Sequence, residues 1–313
     1  MVGGIELETL RRGQGRKLLL LHGLETIPPQ ARFLDLLARR AEIIAPSSPG
    51  FGRSARPEDI ASVYDLVHLY LDLLETLADE KVSVIGFSFG GWLAAEMAAA
   101  CSHRIDKLVL VDAFGIKISG RETPDILDLF NTHPRDVAPR RWRDPARWTP
   151  DFNALSDDDI VLHARNREAL CLYGWHPYMY NPRLKRWLAR IRVPTLVLWG
   201  AQDGIVTPSY GQAYSALIPG ARFATIDEAG HHPELEQPAA FADAISLPPD
   251  LTKPISSRPR EMTSAVAYSS ATRTGSWRSD TRVPRLRIRA LRVCRARMPT
   301  SIGLALISEL MPA

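Results

Sequence analysis

The stretch that decides the fold is Lys81–Cys101, KVSVIGFSFGGWLAAEMAAAC. KVSVI is a short β-type run, and the Ala-rich segment after it has helical composition with a small-residue face suited to close packing on a sheet. Between them Gly86-Phe87-Ser88-Phe89-Gly90 fits G-x-S-x-G in the context that gives the pattern meaning, a sharp strand-to-helix turn that presents a serine hydroxyl. Small residues are needed two positions either side of Ser88 because a side chain there would collide with the turn. Ser88 is therefore the candidate nucleophile.

Working outward, β-type runs alternate with helix-period segments. Strands are expected at Ile5–Leu10, Lys17–Leu21, Ala41–Ala45, Lys107–Val111, Pro194–Trp199 and Arg222–Ile226, with helices at Pro28–Arg40 and Val63–Leu77. That alternation predicts an α/β chain, a mostly parallel sheet covered by helices on both faces. The interval 116–188 interrupts it, being rich in Pro, Asp, Arg and aromatics with no clear strand. It reads as a helical or irregular insertion placed where insertions cover a site. The expected organisation is a core of 1–115 and 189–248, the insertion 116–188, and a basic tail 249–313.

With 313 residues, 45% hydrophobic and 24% charged, the chain can bury a full core. The net charge of +4 is uneven: 249–313 carries +8 and the first 248 residues −4. The basic balance thus belongs to the tail, and nothing steers the folded body toward nucleic acid. The tail reads as poorly folded; a basic arm for RNA or lipid and the product of an altered reading frame are the competing readings. No run approaches the ~18 apolar residues of a membrane span, and the N-terminus has no apolar signal core, so the expectation is a cytoplasmic protein. Three widely spaced cysteines imply neither disulfides nor a zinc site.

A serine needs a base, and the base needs a group to orient it. Asp203 in LVLWGAQD and His231 in EAGHHPELEQP follow successive strands in the required order. Asp112, at the end of KLVLV, competes for the acid's place; Asp203 is preferred because a strand-end carboxylate followed by a histidine loop is the commoner order. His232 reads as a solvent-facing neighbour and His22 as structural; the remaining histidines have no metal-ligand spacing. Two backbone amides, Phe89 and Leu24 of His22-Gly23-Leu24-Glu25, are the expected oxyanion donors.

With LLLLHGLE, SSPGFGRS, IGFSFGGW, LVLWGAQD and EAGHHPELEQP in order over residues 4–247, the chain resembles the cap-bearing serine hydrolases of the α/β-hydrolase fold. The resemblance implies an eight-stranded, mostly parallel sheet, a helical cap between two late strands, the triad above, and neither metal nor organic cofactor. Two departures stand out: Ser47-Ser48-Pro49 replaces the usual start of the D-x-x-G-x-G-x-S loop, and the short N-terminus leaves room for one strand fewer. Trp142, Trp148, Trp175 and Tyr178 either line a substrate pocket or form the core of the cap, while Arg140, Arg141 and Arg143 read as a solvated face. The leading expectation is a carboxylic ester hydrolase acting on small or medium hydrophobic esters, a small-molecule substrate. The rivals are hydrolysis of a carbon–carbon bond in a ring-cleavage product, and a non-catalytic ligand receptor. For the former, Phe87, Phe89 and His232 depart from the usual pattern.

Overall fold

The computed structural model describes residues 1–77, 81–120 and 122–245; the expected tail lies outside the described residues. Seven strands form one sheet: β1 (Thr9–Arg12), β2 (Lys17–Leu21), β3 (Glu42–Pro46), β4 (Val82–Phe87), β5 (Ile105–Val111), β6 (Thr195–Gly200) and β7 (Arg222–Ile226). Their spatial order is β1-β3-β2-β4-β5-β6-β7, and every pairing is parallel except that of β1 with β3. Among the described residues the sheet has seven strands, against the eight implied by the resemblance. The first strand also starts later than its apolar pattern suggests. Residues 6–8 bond instead to the loop 47–55, through Glu6 O to Ala55 N and through Glu8 to the amides of Ser47 and Arg53 and the hydroxyl of Ser54.

Alternate residues of β2 explain why the sheet is covered twice. Leu19 and Leu21 enter one core with α2 (Val63–Leu77), while Leu18 and Leu20 enter the other with Phe33 and Leu34 of the helix α1 (Arg32–Ala38). A buried parallel strand is apolar on both faces for this reason. The helix α3 (Phe89–Ala100) is buried along almost its whole length in the first core, as its alanines require. Between β5 and β6 lie α4 (Pro134–Arg141), α5 (Pro145–Trp148), α6 (Asp157–Gly174) and α7 (Leu184–Trp187), with no strand of the sheet among the described residues there. After β6 come α8 (Pro208–Ala216), then α9 (Pro233–Glu236) and α10 (Pro238–Ile245) beyond β7. No described helix is long and apolar enough to cross a membrane.

The turn from β4 into α3 is held by close packing. A Cβ at Gly90 would collide with the carbonyl oxygens of Leu21 and His22, and one at Gly86 with the carbonyl of Gly90. Backbone obstructs both, so neither can be relieved by a side-chain rotation. Overpacking of this kind costs ~1–3 kcal/mol. Gly90→Ala is expected to lower the unfolding free energy by about 1 kcal/mol or more, read as a lower urea midpoint, whereas an unchanged midpoint would show that the turn has room to relax.

Candidate active site

Ser88 sits between β4 and α3 with φ at +52°, a left-handed conformation rare for a residue with a side chain. Its backbone is held from several sides: the Ser88 amide donates to Val111 O, and its carbonyl accepts from Gly91, Trp92 and Phe114. His231 Nδ1 donates to Asp203 Oδ2 at 2.7 Å, which leaves Nε2 to accept the Ser88 hydroxyl at 2.9 Å. All three residues are buried. Asp203 is itself oriented, its Oδ1 accepting the amides of Ile205 and Val206 at 2.8 and 3.1 Å. The three sequence candidates thus form one continuous hydrogen-bonded line.

Asp112 stands behind that line. One Oδ accepts the Gly200 amide at 2.9 Å; the other is buried without a hydrogen-bond partner. Asp112, Asp203 and His231 each place a polar atom within 4.8 Å of the others. Burial, and then the charge of Asp203, push the Asp112 carboxyl well above the usual range. Two adjacent buried carboxylates cannot both ionise at low cost, so Asp112 is assigned as the neutral member.

Gly23 brings the other loop against the serine: a Cβ there would lie 2.9 Å from Ser88 Cβ. The amides of Leu24 and Phe89 donate no hydrogen bond to described residues, so both remain available beside the hydroxyl. The loop is braced by His22, whose Nδ1 donates to Gly23 O at 3.0 Å while Nε2 accepts the Ser48 amide at 2.8 Å. Ser48 Oγ pairs with Tyr70 at 2.7 Å, so the departure at Ser47-Ser48 leaves this loop tied down. Burial takes the His22 pKa down to about 4, which keeps it neutral and able to accept.

A cavity of about 980 Å³ is bounded by Gly23 and Phe87 at the sheet and by Trp142, Trp148 and Leu162 from the insertion. Ser88, Asp203 and His231 do not line it, and it reaches the serine loop at Gly23, where a Cβ would lie 3.6 Å from Ser88 Oγ. Trp142 and Trp148 stack at 5.6 Å, and Trp142 lies 4.6 Å from the ring of His232. Trp175 and Tyr178 do not line this cavity. Trp175 is exposed against Phe130, and the Tyr178 hydroxyl bridges Leu129 N and Leu127 O. Two further expectations are corrected. His232 is buried, its Nδ1 near Glu234 at 3.1 Å, because Trp142 covers it. Arg141 lines the cavity and is half-buried, since α4 ends against the histidine loop; Arg140 and Arg143 are exposed.

Sequence reading also missed a polar cluster on the cavity wall. Glu25 accepts from Asn166 Nδ2 at 2.7 Å and lies 3.4 Å from His163, while Asn166 Oδ1 takes the Gly52 amide at 2.8 Å. Burial works to raise the Glu25 pKa, but hydrogen bonds from His163 and Asn166 outweigh it and hold the carboxyl low. The available signals were Glu25 directly after the His22-Gly23-Leu24 turn and an asparagine on the buried face of α6.

A mostly parallel sheet with a serine at the strand-to-helix turn, and an acid and a histidine on the loops after β6 and β7, defines the α/β-hydrolase fold. The chain belongs to the alpha/beta hydrolase family, whose profile matches residues 18–244. It is similar to the 2-hydroxy-6-oxo-2,4-heptadienoate hydrolase of Pseudomonas putida, 26% identical over 79% of this chain and 93% of that protein. In fold it is similar to the 2-hydroxy-6-oxo-6-phenylhexa-2,4-dienoate hydrolase of a Rhodococcus species, with TM-score 0.63, 22% identity, and 78% and 94% of the two chains covered. It is likewise similar to a thermophilic esterase of Thermogutta terrifontis, with TM-score 0.60, 24% identity, and 77% and 92% covered.

Two outcomes follow from the buried titratable groups. Unfolded His22 takes up a proton near pH 6.5 and the folded residue only near 4, so stability falls as pH drops through that window, by about 2 kcal/mol at pH 5. The urea midpoint is therefore expected to decline more steeply between pH 7 and 5 than that of His22→Gln, and equal slopes would contradict the neutral assignment. Asp112→Asn keeps a neutral group of the same shape and is expected to stay within ~1 kcal/mol of the parent, whereas Asp112→Ala costs ~2 kcal/mol or more by orphaning the Gly200 amide. Urea unfolding of both variants at pH 7 tests this; a large loss in Asp112→Asn would mean that the residue is ionised.

Proposed function

We propose that this hydrolase cleaves carboxylic esters through an acyl-enzyme on Ser88. The observation that carries the reading is the Asp203–His231–Ser88 line, 2.7 and 2.9 Å between partners. The amides of Leu24 and Phe89 are unengaged among the described residues, and a cavity reaches the neighbouring Gly23. Ser88 Oγ attacks the ester carbonyl as its proton passes to His231 Nε2. The carbonyl oxygen, now negative, is held by the amides of Leu24 and Phe89, and Asp203 stabilises the imidazolium. Collapse breaks the bond to the alcohol oxygen, which takes the proton from His231 and leaves. Water then attacks the acyl-enzyme with His231 again as base, and the carboxylic acid departs as Ser88 regains its proton. The residues α4–α6 act as a cap that shapes the substrate space, with Trp142 and Trp148 as its apolar wall.

Hydrolysis of a carbon–carbon bond in a ring-cleavage product is the second reading, favoured by the likeness to the heptadienoate hydrolase. Phe87, Phe89 and His232 weigh against it, since they surround the serine and the base where such enzymes commonly carry other side chains. A receptor on the same scaffold would bind without turnover.

Labelling of the full chain with a fluorophosphonate probe is expected to map to Ser88 and to vanish in Ser88→Ala. That variant should also lose about 10⁴-fold or more of kcat on p-nitrophenyl esters. Labelling elsewhere, or stoichiometric binding with no turnover, would displace the ester reading.

A further inference from the structure

Of the three arginines that line the cavity, Arg32 is exposed, whereas Arg141 has a guanidinium nitrogen shut off from solvent and forms no ion pair among the described residues. The carboxylates around it have other partners, although Glu234 keeps one buried oxygen without a hydrogen bond. Glu25 has Asn166 and His163; Glu236 accepts the amides of Arg143, Asp144 and Gly230; Glu234 has His232; Asp159 caps its own helix through Ser156. The neighbouring cation Arg147 is also accounted for, lying 5.2 Å over the Trp148 ring. Arg141 has none of these arrangements. Its Nε is shut off from solvent with no hydrogen-bond partner, and its field reaches Glu25, His163 and His232 from within the cavity wall. Burial draws the pKa of this guanidinium down, and Glu25 only partly offsets the loss of water. A guanidinium remains charged in a protein nonetheless, so its unused donors are a standing cost.

The backbone fixes where that charge points from. Arg141 O accepts the His231 amide at 2.7 Å, and Arg140 O accepts the Gly204 amide at 2.9 Å, so the last turn of α4 is seated on the loops of both the acid and the base. The cavity that Arg141 lines extends to Gly23, where a Cβ would lie 3.6 Å from Ser88 Oγ, so it reaches the loop next to the attacking hydroxyl.

We infer that Arg141 recognises a carboxylate on the substrate, so that the ester cleaved carries a second, uncleaved acid group in its acyl or alcohol part. A planar fork of N–H donors matches a carboxylate in two parallel hydrogen bonds, and the ligand's charge replaces the counter-ion that the protein withholds. Trp142 and Trp148 take the apolar linker between the two ends. This deepens the ester reading and rests on it for the identity of the reacting group.

The test compares p-nitrophenyl hemiglutarate with p-nitrophenyl valerate, which is similar in length and lacks the terminal charge, on the full chain, Arg141→Gln and Arg141→Lys. The ratio of kcat/KM, acid over neutral, is expected to fall at least ~10-fold in Arg141→Gln, mainly through KM, and to recover partly in Arg141→Lys. A ratio unchanged in both variants overturns the inference. Titration calorimetry of monomethyl glutarate into Ser88→Ala, with and without Arg141→Gln, reads the same site without turnover. Binding that disappears with Arg141→Gln supports the carboxylate site; binding that is absent, or equal in both proteins, overturns it. If neither ester is turned over and Ser88 is not labelled, the ester reading fails, and the calorimetric result still decides for Arg141.

Discussion

The structure depends on a contact without side chains: the first turn of α3 lying against the carbonyls at the end of β2. Gly90 can approach Leu21 and His22 so closely only because it has no Cβ. That approach sets the separation between the serine turn and the loop carrying Gly23 and Leu24. It also holds Ser88 in a left-handed conformation that the chain would not adopt unaided. Sheet order then brings the acid and the histidine to the same edge, because β6 and β7 lie beyond β5 on that side and their following loops emerge at the carboxyl ends of parallel strands.

Charge is arranged in layers around this point. Behind the imidazole, burial holds the Asp112 carboxyl well above its usual range, while Asp203 accepts the hydrogen bond from His231. Under the serine loop, burial keeps His22 neutral, and its ring bridges Gly23 O and the Ser48 amide. On the cavity wall, Glu25 is ionised and held by two donors. Asp112, His22 and Glu25 are therefore each held toward one protonation state by their surroundings, which is the preorganisation that electrostatic catalysis needs.

The sheet and the triad were legible because each leaves a local mark. Buried parallel strands read as continuous apolar runs, and G-x-S-x-G is forced by the collision at Gly86 and Gly90. The preference for Asp203 over Asp112 rested on chain order, and the structure places Asp203 against the imidazole. The insertion was legible only as composition. Whether Trp175 or Trp148 faces the cavity depends on how short helices pack, and no periodicity in Arg135–Trp148 records it. Arg141 was misread for the same reason: flanked by exposed Arg140 and Arg143, it is turned inward by the contact of α4 with two loops more than sixty residues further on. The strand expected at Ile5–Leu10 was displaced because Glu6 and Glu8 spend their backbone groups on the loop 47–55, a long-range choice absent from the local pattern.

The seating of α4 on the loops of acid and base has a mechanical consequence. Were the end of that helix to swing aside as a lid, the Gly204 and His231 amides would both lose their acceptors, and the imidazole would no longer be held in line with Ser88. Opening at this point and competence for reaction therefore exclude one another. Ligand exchange has to proceed by motion elsewhere around the rim, and a molecule that engages the Arg141 side chain loads the same residue whose carbonyl keeps the base in place.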